Sequence, residues 1–217
     1  MSMQSEIPNV EALADKSDGP RMGRPVGDQK AKKAAFLAAA MQVISENGYG
    51  QTSLRDIARK AGYSTGAITY YFSSKDELIL AAIDNSFDEQ EEFLALNLGR
   101  GTIDAETIVR QWLDPVETPF QGTWPVLSQL LASANGGPFA ALIETRYSRY
   151  RAKLAAIVEE GQRLGIFRAD ISGTIITDLL CAIGDGLTAM RPIEREHFQP
   201  NRIELLMTSI ATIMAPA

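Results

Sequence analysis

The residues best suited to chemistry lie in one short stretch, Gly62 to Leu78, which reads GYSTGAITYYFSSKDEL. It holds adjacent tyrosines, Tyr70 and Tyr71, with the hydroxyls of Ser64, Thr65 and Thr69 ahead of them and the cation Lys75 just behind. Adjacent aromatics on a helix cannot both face one narrow core stripe, so at least one tyrosine has to face outward. A tyrosine hydroxyl can bond a phosphate oxygen, and most protein–DNA hydrogen bonds go to the backbone. Thr69 can donate, accept or touch a thymine methyl. Thr65 and Gly66 are small where a helix would have to come close to base edges. The plainer alternative is that both tyrosines pad a helix–helix junction, a role that suits Tyr71 better than Tyr70.

Enzyme chemistry finds no comparable grouping. The sequence offers no nucleophile–base pairing, metal-ligand spacing or phosphate loop. One cysteine, Cys181, excludes an intrachain disulfide, and one histidine, His197, with one cysteine gives no basis for a zinc site. Cys181 reads as a small core residue and His197 as a surface residue. The acidic run EQEEF reads as a solvated helix face. The expectation is a non-enzyme with no metal and no cofactor.

Charge separates the chain into unlike parts. Residues 1–20 carry a net −3, residues 21–75 have nine basic and three acidic residues for +6, and residues 76–217 carry −9. A basic segment ahead of an acidic body suggests a small polyanion-binding module joined to a non-binding domain. No apolar run approaches the roughly 20 residues of a membrane helix, and no signal-peptide core opens the chain. A cytoplasmic protein with no membrane contact is expected.

The elements that would position the tyrosines read as helices throughout. Residues 1–28 hold Pro, Gly, Ser and charges without a sustained period and read as a flexible arm. Its basic end, with Arg21, Arg24, Lys30, Lys32 and Lys33, is either a solvated linker or an arm tracking phosphates. AKKAAFLAAAMQVISENG is a helix with Phe36, Leu37, Ala40, Met41 and Ile44 on one face, stopped by Gly48. TSLRDIARKAG opens on a capping pattern, Ser53 with Asp56, and places Leu54, Ile57, Ala58 and Ala61 on one face. A third helix is predicted over 65–72, with Ile68 and Phe72 inward. Ser74 and Glu77 then cap a fourth, longer helix. Two short helices around a tight turn at Gly62, with a third helix packed on both, have the shape of a helix-turn-helix. Free N–H groups at the helix starts near Ser53 and Ser74 could take phosphate, with Thr52 and Arg55 beside the first.

The run GYGQTSLRDIARKAGYSTGAITYYFSSKDEL, Gly48 to Leu78, with the preceding FLAAAMQVISENG, resembles the TetR family of bacterial repressors over about 45 residues. The resemblance implies that the third helix reads the major groove. It also implies that Thr65, Thr69, Tyr70, Tyr71 and Lys75 contact DNA. At Thr69 the family often carries tyrosine, and Tyr70 and Tyr71 stand beside it. More weakly, EEGQRLGIFRADIS followed by AIGDGL is similar to the subgroup of choline-responsive betaine-pathway regulators. Only the architecture is carried over from that subgroup: a helical effector domain that dimerises.

The expected fold is therefore all-α. It comprises an arm (1–28), a three-helix helix-turn-helix DNA-binding domain (29–76) and a helical effector-binding and dimerisation domain (77–217). The DNA-facing residues are Arg24, Thr52, Ser53, Arg55, Ser64, Thr65, Gly66, Thr69, Tyr70, Tyr71 and Lys75. The apolar seams of the last two helices suit ordinary core within one chain, whereas the resemblance implies a two-fold four-helix interface from them, through Ile176, Leu179, Leu180, Ile183 and Leu187, and Ile203, Leu206, Met207, Ile210 and Met214. A ligand pocket is expected among Trp112, Phe120, Trp124, Leu127, Leu131, Phe139, Tyr147, Asp185 and Met190. Asp185, inside an apolar helix, either pairs across the dimer or anchors a cationic ligand. The partners expected are a double-stranded DNA operator, a small-molecule effector and a second copy of the chain. The competing expectation is a helical ligand-binding or adaptor protein without sequence-specific DNA binding.

Overall fold

The structure, a computed structural model, describes residues 26–99, 123–133, 137–190 and 193–216. Every regular element among them is helical. The elements are α1 (Val26–Asn47), α2 (Leu54–Lys60), α3 (Thr65–Thr69), α4 (Lys75–Gly99), α5 (Thr123–Ser133), α6 (Pro138–Arg163), α7 (Gly173–Met190), a 3₁₀ turn (Arg195–Phe198) and α8 (Pro200–Met214). Of the residues singled out above, Arg24, Trp112 and Phe120 lie outside those described.

Two apolar clusters share α4. One gathers Phe36, Leu37, Ala40 and Val43 of α1, Ile57 and Ala58 of α2, Ile68 of α3, Phe72, and Leu78 and Ala82 of α4. The other gathers Ile79, Ile83 and Phe87 of α4 with the inward faces of α5 to α8. Neighbouring positions on α4 thus serve opposite clusters. Leu78 and Ala82 hold the small N-terminal unit, and Ile79 and Ile83 hold the larger body. Ile44, near the end of α1, joins the larger cluster.

Gly48 and Gly62 carry the turns on either side of α2, with φ of 79° and 78°. Side chains with a Cβ rarely adopt this left-handed region. After Gly62 the chain re-enters helix at Ser64, whose Oγ accepts from the Ala67 N–H at 3.2 Å.

Charge fastens α4 to α6. Arg146, only 6% exposed, reaches Asp84, Asp88 and Glu91 on α4. Glu91, also buried, takes Arg149 at 2.7 Å and Lys153 as well. The motif EEGQRLGIF ends α6 in a left-handed Gly165 with φ of 72°. Ile166 N–H then bonds back to the Gly161 carbonyl at 2.8 Å. That fold-back lays Phe167 so close to Gly161 that a Cβ there would sit 2.2 Å from its ring.

By length and composition α7 could cross a membrane, as the helix core of a water-exposed protein also can. Here it packs along α6, with Asp178 paired to Arg151.

Candidate nucleic-acid interface and effector recess

The short third helix presents the residues that the sequence singled out. Ile68 is fully buried and Phe72 nearly so, which roots the helix in the small core. Thr65, Gly66, Thr69 and Tyr70 are exposed on the opposite side. The helix proper is shorter than predicted, ending at Thr69, and Tyr70 to Phe72 continue as a turn whose Phe72 N–H still reaches the Ile68 carbonyl at 3.0 Å.

The two tyrosines divide as their adjacency requires. Tyr70 is 77% exposed. Tyr71 is half-buried, with its ring centroid 5.8 Å from Phe36 and in edge contact with Tyr70 at 5.2 Å. A groove opens beside them, lined by Gln29 and Lys32 of α1 with Ala67, Tyr70 and Tyr71. Lys32 folds its ammonium over Tyr63, 5.1 Å from the ring centre. The sequence flagged Lys32 only as part of a basic arm, and it did not single out Gln29 or Tyr63. The signal was there for Lys32: on a helix it lies four residues before Phe36, on the same face.

Several expected DNA-facing groups have structural work instead. Thr52 is buried and donates its hydroxyl to the Gly48 carbonyl at 2.8 Å, so it fixes the turn and offers nothing outward. Lys75 donates to the Tyr49 carbonyl at 3.1 Å and lies 4.0 Å from the Tyr49 ring centre. The helix starts are also already served. Ser53 Oγ accepts from the Asp56 N–H and donates to the Asp56 carboxylate. Glu77 accepts from both the N–H and the hydroxyl of Ser73, at 2.7 and 2.5 Å, while its own N–H reaches Ser74 Oγ. The Ser73 hydroxyl bond, the largest influence, holds the Glu77 carboxyl below its usual range. An anionic carboxylate thus occupies the place where phosphate was expected at the start of α4. Arg55 and Ser64 are exposed beside the outward face. The Thr69 hydroxyl donates back to Thr65 and Gly66, at 3.1 and 3.2 Å, and so presents its methyl and a lone pair.

A second site lies between α4, α5, α6 and α7. Phe87, Gln90, Thr123, Trp124, Leu127, Tyr147, Tyr150, Cys181 and Asp185 line it. It contains four of the predicted pocket residues, Trp124, Leu127, Tyr147 and Asp185. Three others lie elsewhere: Phe139 packs on Tyr49 at 5.4 Å, and Leu131 and Met190 are surface-exposed. Asp185 turns inward and accepts from the Tyr147 hydroxyl at 2.5 Å. Burial raises its pKa above the ordinary carboxylate value, with Tyr147 and the nearby Arg151 opposing. Burial first, and then the Asp185 charge, push the Cys181 thiol up to about 11. The Tyr147 phenol is raised by burial and by its bond to Asp185.

The helices expected at a dimer interface turn their apolar residues in two directions. Ile176 and Leu180 of α7, and Ile203, Met207, Ile210 and Met214 of α8, are buried in the chain's own core and have no surface to give a partner. Ile183, Leu187 and Leu206 are half-buried and pack against that core. Only Leu179 of the expected set is largely exposed, joined by Ile175 at 50%, Leu205 at 66% and Ile213. The correction is one of phase. Both helices are apolar on more than one side, so three- and four-residue spacing fits the inner and the outer face alike.

Residues 36–82 match the model of bacterial regulatory proteins of the tetR family. That match takes in the helix-turn-helix unit, from Phe36 in α1 to Ala82 in α4. It is 41% identical over 58 residues to the regulator BetI of Proteus mirabilis, which is 27% of this chain and 29% of that protein. It is 27% identical over 146 residues to the repressor KstR2 of Rhodococcus jostii, covering 64% of this chain and 70% of that one. The matches to the first curated relatives span 27 to 30% of their length. In fold, the chain superposes on a TetR transcription regulator from Haloarcula marismortui with a TM-score of 0.62. Sequence identity there is 19%, over 85% of this chain and 98% of that one. The likeness to regulators of the tetR family thus rests on the helix-turn-helix unit of residues 36–82, and beyond it on the fold.

Proposed function

We propose that the protein is a homodimeric repressor that binds a pseudo-palindromic operator and is released from it by a small molecule. The observation that carries this reading is the outward face of α3. It is anchored by the fully buried Ile68, small at Thr65 and Gly66, and aromatic at Tyr70, with none of the described residues over it. One such helix reads few bases. Two of them, about 34–36 Å apart, fit successive major grooves. Exposed apolar side chains on the last two helices, Ile175 and Leu179 of α7 and Leu205 and Ile213 of α8, support an interface with a second copy.

Helix α4 is the element that supports a response to ligand. Phe87 and Gln90 line the recess, while Leu78 and Ala82, farther up the same helix, hold the reading unit. An effector that prefers one tilt of α4 changes the spacing of two reading heads. It shifts the balance only by its difference in affinity for the two states. A cytoplasmic location accords with this function.

Selection from a random duplex library at low salt, followed by fluorescence anisotropy, tests the reading. Enrichment of an inverted repeat is expected. No enriched sequence would favour the alternative, a helical ligand-binding or adaptor protein without sequence-specific DNA binding. Tyr70→Ala is expected to weaken operator binding with the melting temperature unchanged, since the side chain is so exposed. Leu179→Glu is expected to yield a monomer in sedimentation. A variant that stays dimeric would place the interface elsewhere.

A further inference from the structure

We propose that the groove between α1 and α3 is a small-molecule site for a planar aromatic ring carrying a phosphate, and that its occupant excludes operator DNA directly. Lys32 takes the phosphate, Tyr70 and Tyr71 take the ring, and Gln29 offers its amide to the ring's polar edge. The binding claim stands on the groove alone. The exclusion claim rests on the reading of α3 as the DNA-facing helix.

Lys32 is the residue that asks for an anion. It is only 8% exposed, and a lysine so buried ordinarily has a carboxylate beside it. Among the described residues Lys32 has none. Its ammonium meets the ring of Tyr63, 5.1 Å from the centre, and Tyr63 is held edge-on to Phe36 at 5.2 Å. A ring face offsets part of the cost of a buried cation, and an anion offsets more. Gln29, Lys32, Ala67, Tyr70 and Tyr71 line the groove, so no acid in the lining competes with an incoming anion.

The rings and the room point to the rest of the ligand. Tyr70 and Tyr71 stand at an interplanar angle of 83° with their centroids 5.2 Å apart. They form a corner in which a third ring can lie on one face and meet the other edge-on, both favoured arrangements. Neither phenol bonds to another of the described residues. Ala67, between them and α1, is small enough to leave the corner open. About 260 Å³ of the groove admits water, where roughly 10–15 Å³ is enough for one molecule. An inorganic phosphate would leave most of that space empty, whereas a nucleoside monophosphate brings a sugar and a flat base to fill it. Tyr70 also stands on the outward face of α3, with Thr65, Gly66 and Thr69. A ring stacked on it occupies the space through which α3 would approach a base pair, so ligand and operator exclude each other.

Calorimetric titration of the full chain with AMP, adenosine and inorganic phosphate, at constant ionic strength, tests the site. AMP is expected to bind once per chain and about tenfold or more tighter than either fragment. Lys32→Met keeps the stem and removes the charge, and should bring AMP down to the affinity of adenosine. Should that variant not fold, Tyr70→Ala, at so exposed a position, still reads the site and should weaken AMP by about five- to a hundredfold. Trp124→Leu, in the recess of the larger body, should leave AMP affinity unchanged; a loss there places AMP in that recess and overturns the proposal. In operator anisotropy, AMP at ten times its own dissociation constant should weaken DNA binding about tenfold. Bound AMP that leaves operator affinity intact overturns the exclusion. The duplex backbone offers the same phosphate chemistry, and salt dependence separates the two sources. No saturable AMP binding, with a salt slope of operator binding reduced by about one in Lys32→Met, assigns the groove to the duplex and overturns the small-molecule site. AMP no tighter than adenosine overturns it as well. AMP binding without any sequence-specific duplex supports the site and removes the regulator reading alone.

Discussion

Gly66 separates a residue kept for the fold from one kept for an approaching partner. A Cβ built on it would meet only Ser64 Oγ, 4.0 Å away. Its φ does not lie in the left-handed region, unlike those of Gly48 and Gly62. None of the described residues asks for glycine there. Alanine in a helix is better than glycine by about 0.5–1 kcal/mol, and the first turn of a five-residue helix should recover the lower part of that range. For a chain of this size about 0.5 kcal/mol raises the melting temperature by roughly 1–2 °C. On DNA the sign reverses. The α3 backbone at Gly66 would lie against base edges, and a methyl forced into a filled contact costs about 1–3 kcal/mol. Since about 1.4 kcal/mol is tenfold in affinity, Gly66→Ala should weaken operator binding by roughly five- to a hundredfold while slightly stabilising the protein. Thermal melting by circular dichroism and operator anisotropy read the two effects separately. A melting temperature lowered by several degrees would show that the glycine serves the fold. Undiminished operator affinity would show that α3 does not approach DNA at this point.

Gly161 makes the opposite case, because a Cβ there would sit 2.2 Å from the buried Phe167 ring. Gly161→Ala should cost about 1–3 kcal/mol, read as a lower denaturant midpoint, and adding Phe167→Leu should recover part of it. Arg146→Ala leaves Asp84 and Asp88 without their buried guanidinium and opens space beside Phe87. Both carboxylates keep more than half of their surface in water, so a loss of about 1–2 kcal/mol is expected in urea unfolding, with Arg146→Met losing less. Burial works to raise the Glu91 pKa, but Arg149 and Lys153 outweigh it and hold the group below its usual range. A depressed folded pKa gives stability that is present above the unfolded value and is lost as pH falls through the folded one. Melting temperature should therefore drop on acidification below about pH 4, and Glu91→Gln should flatten that dependence. An unchanged acid limb would show that the Glu91 charge is not what ties α4 to α6.

The N-terminal unit was legible because its sequence rules agree with one another. Gly48 and Gly62 mark turns that need a left-handed residue, Ser53, Ser64 and Ser74 cap the helices that follow, and the register of Ile68 and Phe72 leaves Tyr70 outside. What the spacing could not show was which polar groups were already taken. Thr52 and Lys75 looked available because nothing in a linear pattern says that the Gly48 and Tyr49 carbonyls lie within their reach. Glu77 looked like a helix cap and is one, and in capping it puts a negative charge where phosphate had been expected.

The body of the protein was harder for a different physical reason. In α7, apolar residues lie on almost every side, so two phases satisfy the same spacing. The polar residues that could fix the phase are few, and two of them, Asp178 and Asp185, are seven apart on one flank. That flank faces α6, where Arg151 takes the first and Tyr147 the second. With these acids set against α6, Ile176 and Leu180 turn into the core and Ile175 and Leu179 turn out. Each aspartate alone reads as an oddity in an apolar helix. Paired with a basic or hydroxyl-bearing residue on α6, the two fix the rotation of α7. In doing so they decide both which apolar side chains of α7 are left exposed and which carboxylate looks into the recess.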